Sequence, residues 1–257
     1  MQSLLAGKTA LVTGASKGVG KGIALELARH GCKVIVNFHS DQAGAEATVR
    51  EIEELGSAGV AVGANVAVAD EVGLLFETAW RWAGQLDIAV NNAGVQTWKS
   101  LLDLEERDWD RVIDTNLKGC FLCTKAAAGF MIRGGRGGSI INIGSGCNKT
   151  AFPHLVDYTA SKGGIEMFTK VSACELGPHG IRVNCVAPGA IEIERTRLEA
   201  GDYAGTWSRL TPLGRIGTPA DVGRAVVFFA SPMAGFVTGQ TLWVDGGLFA
   251  KPAWPYE

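Results

Sequence analysis

The chain lacks any apolar run approaching the ~18 residues that suggest a membrane-crossing helix. Met1 to Gly7 leads into the first strand-like segment without the apolar centre of a secretory leader. A soluble, cytoplasmic protein is expected, with no membrane partner. Charge of one sign is also missing: 24 Lys and Arg against 26 Asp and Glu leave a formal charge of -2. Such a balance provides no field to hold a polyanion, which argues against nucleic acid as a partner. Six cysteines, Cys32, Cys120, Cys123, Cys147, Cys174 and Cys185, give no disulfide framework for 257 residues. Cys120 and Cys123 do form a CxxC, but it lies within a helical pattern from Trp109 to Ile132, where a spacing of three puts two small apolar residues on one face. The four histidines have no ligand spacing, so no metal site is expected. Linkers, charge runs and repeats are absent too, which favours one α/β domain over residues 1–257.

Glycine is present in excess, 35 of 257 residues, about twice the usual share near ~7 %. The glycines stand singly or in pairs at element ends and read as turns. Between them lie strand-like runs at Thr9 to Thr13, Lys33 to Asn37, Val60 to Gly63, Ile88 to Asn91, Ser139 to Ile143, Arg182 to Ala187 and Thr241 to Val244. Helical patterns fill the gaps; Ala45, Val49, Ile52 and Leu55 make one apolar stripe while Glu46, Arg50, Glu51 and Glu54 face water. Continuous apolar strands separated by helices predict a doubly wound, Rossmann-like fold: a seven-stranded parallel sheet with helices on both faces. Ligands of such sheets bind beyond the carboxyl ends of the strands. Gly14, Asn92, Ser145 and Pro188 each follow a predicted strand and share that address.

The segment Ser145 to Lys162 holds a hydroxyl, a phenol and an ammonium. If the chain is helical from Asp157 onward, Tyr158 and Lys162 lie on one face, because positions four apart are neighbours. A positive charge at about 4 Å, at an effective dielectric near 20, is worth roughly 4 kcal/mol in favour of a phenolate. Desolvation opposes this, so the figure is an upper bound. Such a phenol can exchange a proton near neutrality. Gly163 and Gly164 interrupt the same helix at about 1 kcal/mol each relative to Ala, which predicts close approach by a packed helix rather than by a ligand.

At the front of the chain, Lys8 to Thr13 reads as a buried strand, Gly14, Gly18 and Gly20 punctuate a turn, and Val19, Ile23 and Leu27 recur at helical spacing. Glycines there let the backbone approach a phosphate, and the N–H groups and dipole of the following helix favour its charge. Strand, glycine turn and helix together point to a nucleotide site.

With Thr13-Gly14-Ala15-Ser16-Lys17-Gly18-Val19-Gly20, Asn91-Asn92-Ala93-Gly94, Ser145, Tyr158-Thr159-Ala160-Ser161-Lys162 and Pro188-Gly189 in order, the chain resembles the short-chain dehydrogenase/reductase family over nearly its whole length. The resemblance implies a nicotinamide-dependent enzyme and a homotetramer. It casts Tyr158 as acid-base, Ser145 as holder of the substrate oxygen, and Lys162 as ligand of the nicotinamide ribose and tuner of Tyr158. Asn116 matches the asparagine that holds a water in a proton relay towards Lys162. The implied cofactor contacts are Gly14, Ser16, Lys17, Gly18, Val19, Gly20, His39, Ser40, Asn65, Val66, Asn92, Ala93, Gly94, Tyr158, Lys162, Pro188, Gly189 and Ile191.

An acidic residue just after the second strand selects NAD by binding a ribose 2′-OH and repelling a 2′-phosphate. Asn37-Phe38-His39-Ser40 offers none, and Lys17 stands where the family often has a basic residue in NADP enzymes, so NADP is expected, with Asp41 as the counter-indication. Two positions depart from the family pattern. Asn65-Val66 replaces an Asp-Val whose carboxylate meets adenine, although an Asn oxygen accepts the same bond, and Ile193 replaces a threonine whose hydroxyl meets the cofactor carboxamide. Gln96, Cys147, Asn148 and His154 are expected to border the substrate pocket, with about 194–210, including Trp207, as a cover. These polar groups suit a small polar alcohol or sugar; 3-oxoacyl-carrier reduction is the alternative, and a catalytically silent cofactor sensor the alternative of another class. In the aromatic tail Phe249 to Tyr256, Trp254 and Tyr256 are expected to pack against another subunit.

Overall fold

The computed structural model describes residues 3–194, 196 and 201–250. Seven parallel strands form one sheet in the order β3-β2-β1-β4-β5-β6-β7. They are β1 Thr9–Val12, β2 Lys33–Phe38, β3 Gly59–Gly63, β4 Ile88–Asn91, β5 Gly138–Ile143, β6 Ile181–Pro188 and β7 Thr241–Val244. The helices are α1 Gly18–Arg29, α2 Gln42–Glu54, α3 Ala69–Ala83, α4 Glu106–Ile113, α5 Gly119–Gly134, α6 Val156–Leu176, α7 Tyr203–Leu210 and α8 Pro219–Ala230.

Side chains alternate between two cores because strand residues point to opposite faces in turn. Ala10, Val12, Val34, Val36, Ile88 and Val90 join Ile23, Leu27, Val222 and Val226 of α1 and α8 on one face. Leu11, Ile35, Ala89 and Ile140 join Leu75 and Phe76 of α3 and Ala127 and Met131 of α5 on the other. Both faces are covered, as the unbroken apolar runs predict. The strand order reverses direction between β1 and β4, and the crevice beyond their carboxyl ends is the usual ligand position in such a sheet.

The helix expected over Trp109 to Ile132 is two helices. A π-helical turn, Asp114–Lys118, joins α4 to α5 and contains the buried Asn116. Such wide turns are rare and concentrate at functional sites. Cys120 and Cys123 are buried in α5; burial pushes both thiols up, Cys120 to about 12. Gly164 receives Leu117 of the wide turn, 2.8 Å from where a Cβ would lie, whereas the space beside Gly163 is open. The close approach is therefore made within this chain and at one glycine of the two. Among the described residues no helix is long and apolar enough to cross a membrane.

Candidate active site

The glycine turn after β1 is held open by side chains from two neighbouring strands. Asn37, at the end of β2, accepts from Gly14 N–H at 3.3 Å through Oδ1, and its Nδ2 donates to Val62 O at 3.2 Å and Ala64 O at 3.1 Å. Asn92, just past β4, donates from Nδ2 to Thr13 O at 2.9 Å and Gly14 O at 3.1 Å. Thr13 Oγ1 in turn accepts from Asn92 N–H at 2.9 Å and Ala93 N–H at 3.0 Å. The only local signal for Thr13 and Asn37 in the sequence is a polar residue near the end of an apolar strand.

Gly14 and Gly18 take φ of 61° and 58°, the left-handed region that glycine enters without a Cβ penalty. No side chain caps α1 at Lys17, whereas Asp41 caps α2 through Gly44 N–H and Thr218 caps α8 through Asp221 N–H. The first turn of α1 thus presents main-chain donors to the crevice, the arrangement that binds a phosphate. These features fit a dinucleotide.

Around the turn, Lys17 Nζ lies 3.7 Å from Asp41 Oδ2. The Asp41 carboxyl is held below its ordinary range by the Gly44 N–H first, then by the Ser16 hydroxyl and Lys17. His39 and Ser40 are exposed beside them. Asn65 Oδ1 accepts from Ala67 N–H at 3.0 Å, so one lone pair of the oxygen expected to face adenine is already used. Val66 is buried against Gly119, and Gly94 lies against Asn116 Oδ1. Across the crevice, Gly189 at the end of β6 donates its N–H to Val244 O at 3.0 Å. Ile191 is buried against Gly217, and Ile193 lies 3.7 Å from where a Cβ on Gly18 would be. An apolar side chain therefore sits beside the glycine turn at the position of the missing threonine.

Ser145, Tyr158 and Lys162 gather at the carboxyl end of β5. Lys162, 4 % exposed, donates from Nζ to Ile143 O at 2.7 Å and lies 5.4 Å from the centroid of the Tyr158 ring. Ile143 is two residues before Ser145. Among the described residues no carboxylate pairs with this buried ammonium. A buried charge is costly unless it is paired or hydrogen-bonded; here the Ile143 carbonyl takes one N–H and the Tyr158 ring lies beside the ammonium.

Ser145 is braced from behind. Its N–H donates to Asn148 Oδ1 at 3.1 Å and its Oγ accepts from Cys147 N–H at 3.2 Å. Cys147 is buried, and the Asn148 amide nitrogen lies 4.0 Å from Cys185 Sγ. Two of the four residues expected to border a substrate thus shape the serine loop. His154 is exposed in a left-handed conformation with φ of 66°, and its carbonyl accepts from Lys99 N–H at 3.1 Å. Gln96 is half-buried, and its carbonyl lies 3.4 Å from the Arg111 guanidinium.

The side chain of Asn116 braces the site with both of its N–H donors and one lone pair of its oxygen. Nδ2 donates to Val95 O at 2.9 Å and Ser161 Oγ at 3.0 Å, while Oδ1 accepts from Val95 N–H at 2.8 Å. Ser161 donates to Tyr158 O at 2.8 Å. Asn116 thereby ties the Gly94 segment to the turn of α6 that carries Tyr158.

A hydroxyl, a phenol and a buried ammonium stand at the carboxyl edge of the sheet that also carries the glycine turn, and the chain belongs to the short-chain dehydrogenase/reductase family, oxidoreductases acting on CH–OH groups. The family model described as Enoyl-(Acyl carrier protein) reductase matches residues 14–249. Among relatives, the chain is 43% identical over 242 residues to the 3-oxoacyl-[acyl-carrier-protein] reductase FabG of Staphylococcus aureus, covering 94% of this chain and 98% of that one. It is 42% identical over 255 residues to 3beta-hydroxysteroid dehydrogenase 1 of Eggerthella lenta, covering 98% and 97%. Of solved structures, gluconate 5-dehydrogenase from Burkholderia cenocepacia, in complex with NADP and tartrate, superposes with a TM-score of 0.90 at 34% identity, covering 98% of each chain.

Proposed function

We propose that the protein is an NADP(H)-dependent oxidoreductase that interconverts a secondary alcohol, a small polar alcohol or sugar, and its carbonyl. The observation that carries this reading is the Lys162 ammonium, buried with no carboxylate partner among the described residues and set against Tyr158. A nicotinamide dinucleotide fits along Gly14, Ser16, Lys17, Gly18, Val19 and Gly20, with His39 and Ser40 at the adenosine ribose and Asn65 and Val66 at adenine. Asn92, Ala93, Gly94, Pro188, Gly189 and Ile191 would flank the rest, and the group supplies or accepts the hydride.

In reduction, Ser145 donates a hydrogen bond to the carbonyl oxygen and Tyr158 gives that oxygen a proton. Lys162 stabilises the resulting phenolate and has further N–H donors for the ribose. Asn116, buried in the wide turn, would hold the water of the proton relay that the resemblance implies. Oxidation runs the same path backwards.

NADP is supported by Lys17 and by the absence of an acid directly after β2; the exposed Lys17–Asp41 pair is worth about 0–1 kcal/mol and yields readily to a phosphate. The second reading, 3-oxoacyl-carrier reduction, is favoured by the FabG relatives. A panel of aldoses, polyols and 3-oxoacyl thioesters, assayed with NADPH/NADP and NADH/NAD, separates them. Sugar or polyol turnover with a strong NADP preference is expected. Activity confined to thioesters would reverse the substrate reading, and a preference for NAD would reverse the cofactor reading. The silent-sensor alternative keeps Lys162 as a ribose ligand but leaves the Tyr158 hydroxyl without a task, so a sensor would be indifferent to Tyr158→Phe.

A homotetramer is part of the same proposal. Exposed Phe121 on α5 and Met167 and Val171 on α6 give it an apolar surface to bury, with Phe121 meeting Phe168 edge to face at 6.3 Å. Light scattering should return four chain masses; one would refute the assembly. Trp254 and Tyr256 of the tail lie outside the described residues.

A further inference from the structure

An aromatic cluster lies next to Ser145, assembled from parts of the chain that local pattern does not connect. Phe152, in the loop after β5, meets Trp207 of α7 at 6.3 Å and Phe249 at 6.0 Å between ring centroids, both edge to face. Tyr203 extends the cluster from Trp207 at 6.2 Å, and Trp243 of β7 from Phe249 at 6.4 Å. Its anchor is Gly146, the residue after Ser145, where a Cβ would collide with the ring of Phe249. The turn carrying Phe249 is fixed by Asp245, whose carboxylate accepts from Gly247 N–H at 2.9 Å and Phe249 N–H at 3.0 Å. Leu213 N–H donates to Gly246 O at 3.2 Å, which ties the exit of α7 to that turn.

Phe152, Trp207 and Phe249 are all partly exposed rather than core residues. We infer that these three rings form a specificity wall that selects a carbinol or ketone set in a saturated ring over an open chain. This rests on the hydride-transfer reading above. With its oxygen at Ser145 and Tyr158, such a substrate lays a flat C–H face on the π faces and edges of the wall. A closed ring has fewer rotors to freeze than a chain and gains more from a rigid wall. The face that the three rings present is apolar, and the nearest polar side chains are turned to other tasks. Asn148 is turned towards Ser145 and Cys185, and Lys149 lies 5.6 Å over the Trp243 ring.

The test compares matched ring and chain alcohols: cyclohexanol against hexan-2-ol, and inositol against a hexitol, with NADP as acceptor. The wild type should favour the ring member by about tenfold in kcat/KM, the scale of discrimination a shaped apolar pocket provides. Trp207→Ala and Phe152→Leu should each lower the ring-to-chain ratio about tenfold, mainly through the KM of the ring substrate, and Trp207→Phe should restore most of it. NADPH titration by fluorescence reports whether each variant is folded. A wild-type ratio near one, or a ratio unmoved in variants that still bind NADPH, overturns the wall. Failure to oxidise either class while NADPH binds would instead defeat the hydride-transfer reading, and the wall with it.

Discussion

Gly20→Ala is expected to abolish tight cofactor binding and to lower the melting temperature, although it adds a single methyl group to a helix. A Cβ at this position would meet Gly14 O and Asn92 Nδ2, with Ala15 Cα at 3.0 Å. None of the three can move freely, since Asn92 Nδ2 already donates to Gly14 O and Thr13 O. Accommodating the methyl pushes α1 away from the glycine turn and displaces the main-chain donors at its first turn. Overpacking of this kind costs about 1–3 kcal/mol, or roughly 2–12 °C for a chain of this size. Because the strain falls on the phosphate cradle, cofactor affinity should drop by about 100-fold, equivalent to about 2.7 kcal/mol. Gly129→Ala on α5, where the added Cβ meets nothing within 4 Å, is the control. Fluorescence titration with NADPH and thermal melts on both variants check this. Unchanged cofactor affinity in Gly20→Ala would mean that the turn is not the cradle.

Much of this arrangement is legible without coordinates, because parallel strands covered on both faces are continuously apolar. Ile88–Asn91 and Thr241–Val244 emerge from the sequence with their observed bounds, and the other five strands within a residue at either end. The wide turn at Asp114–Lys118 does not emerge, since one extra residue in a turn leaves the apolar periodicity of the surrounding helices almost intact. In the site, the Tyr158–Lys162 pair is visible because a local rule, four residues on a helix, decides it. Asn37 and Thr13 are not, because their partners lie on other strands and no local period connects them. Cys147 and Asn148 face inward for a similar reason: the hydrogen bonds of a tight loop at Ser145 outweigh the polar character that suggests a pocket wall. Phe152, Trp207 and Phe249 come from three distant segments, and only the fold brings their rings together.

Tyr158→Phe carries the largest expected effect on turnover. The substitution removes one oxygen and leaves the ring, so the packing of α6 and the position of Lys162 above that ring persist. General acid-base catalysis is typically worth 10²–10⁴-fold, and with the proton donor gone kcat should fall about 1,000-fold or more, which is about 4 kcal/mol of barrier. Cofactor affinity should change by no more than about 2-fold, since Lys162 and the glycine turn hold the dinucleotide. The most direct test of the account is therefore a single paired measurement on this variant, steady-state turnover of the best alcohol together with NADPH binding. Lost turnover with retained binding is the predicted result. Turnover within a few-fold of wild type would contradict the assignment of the phenol at the rim of the sheet as the proton donor.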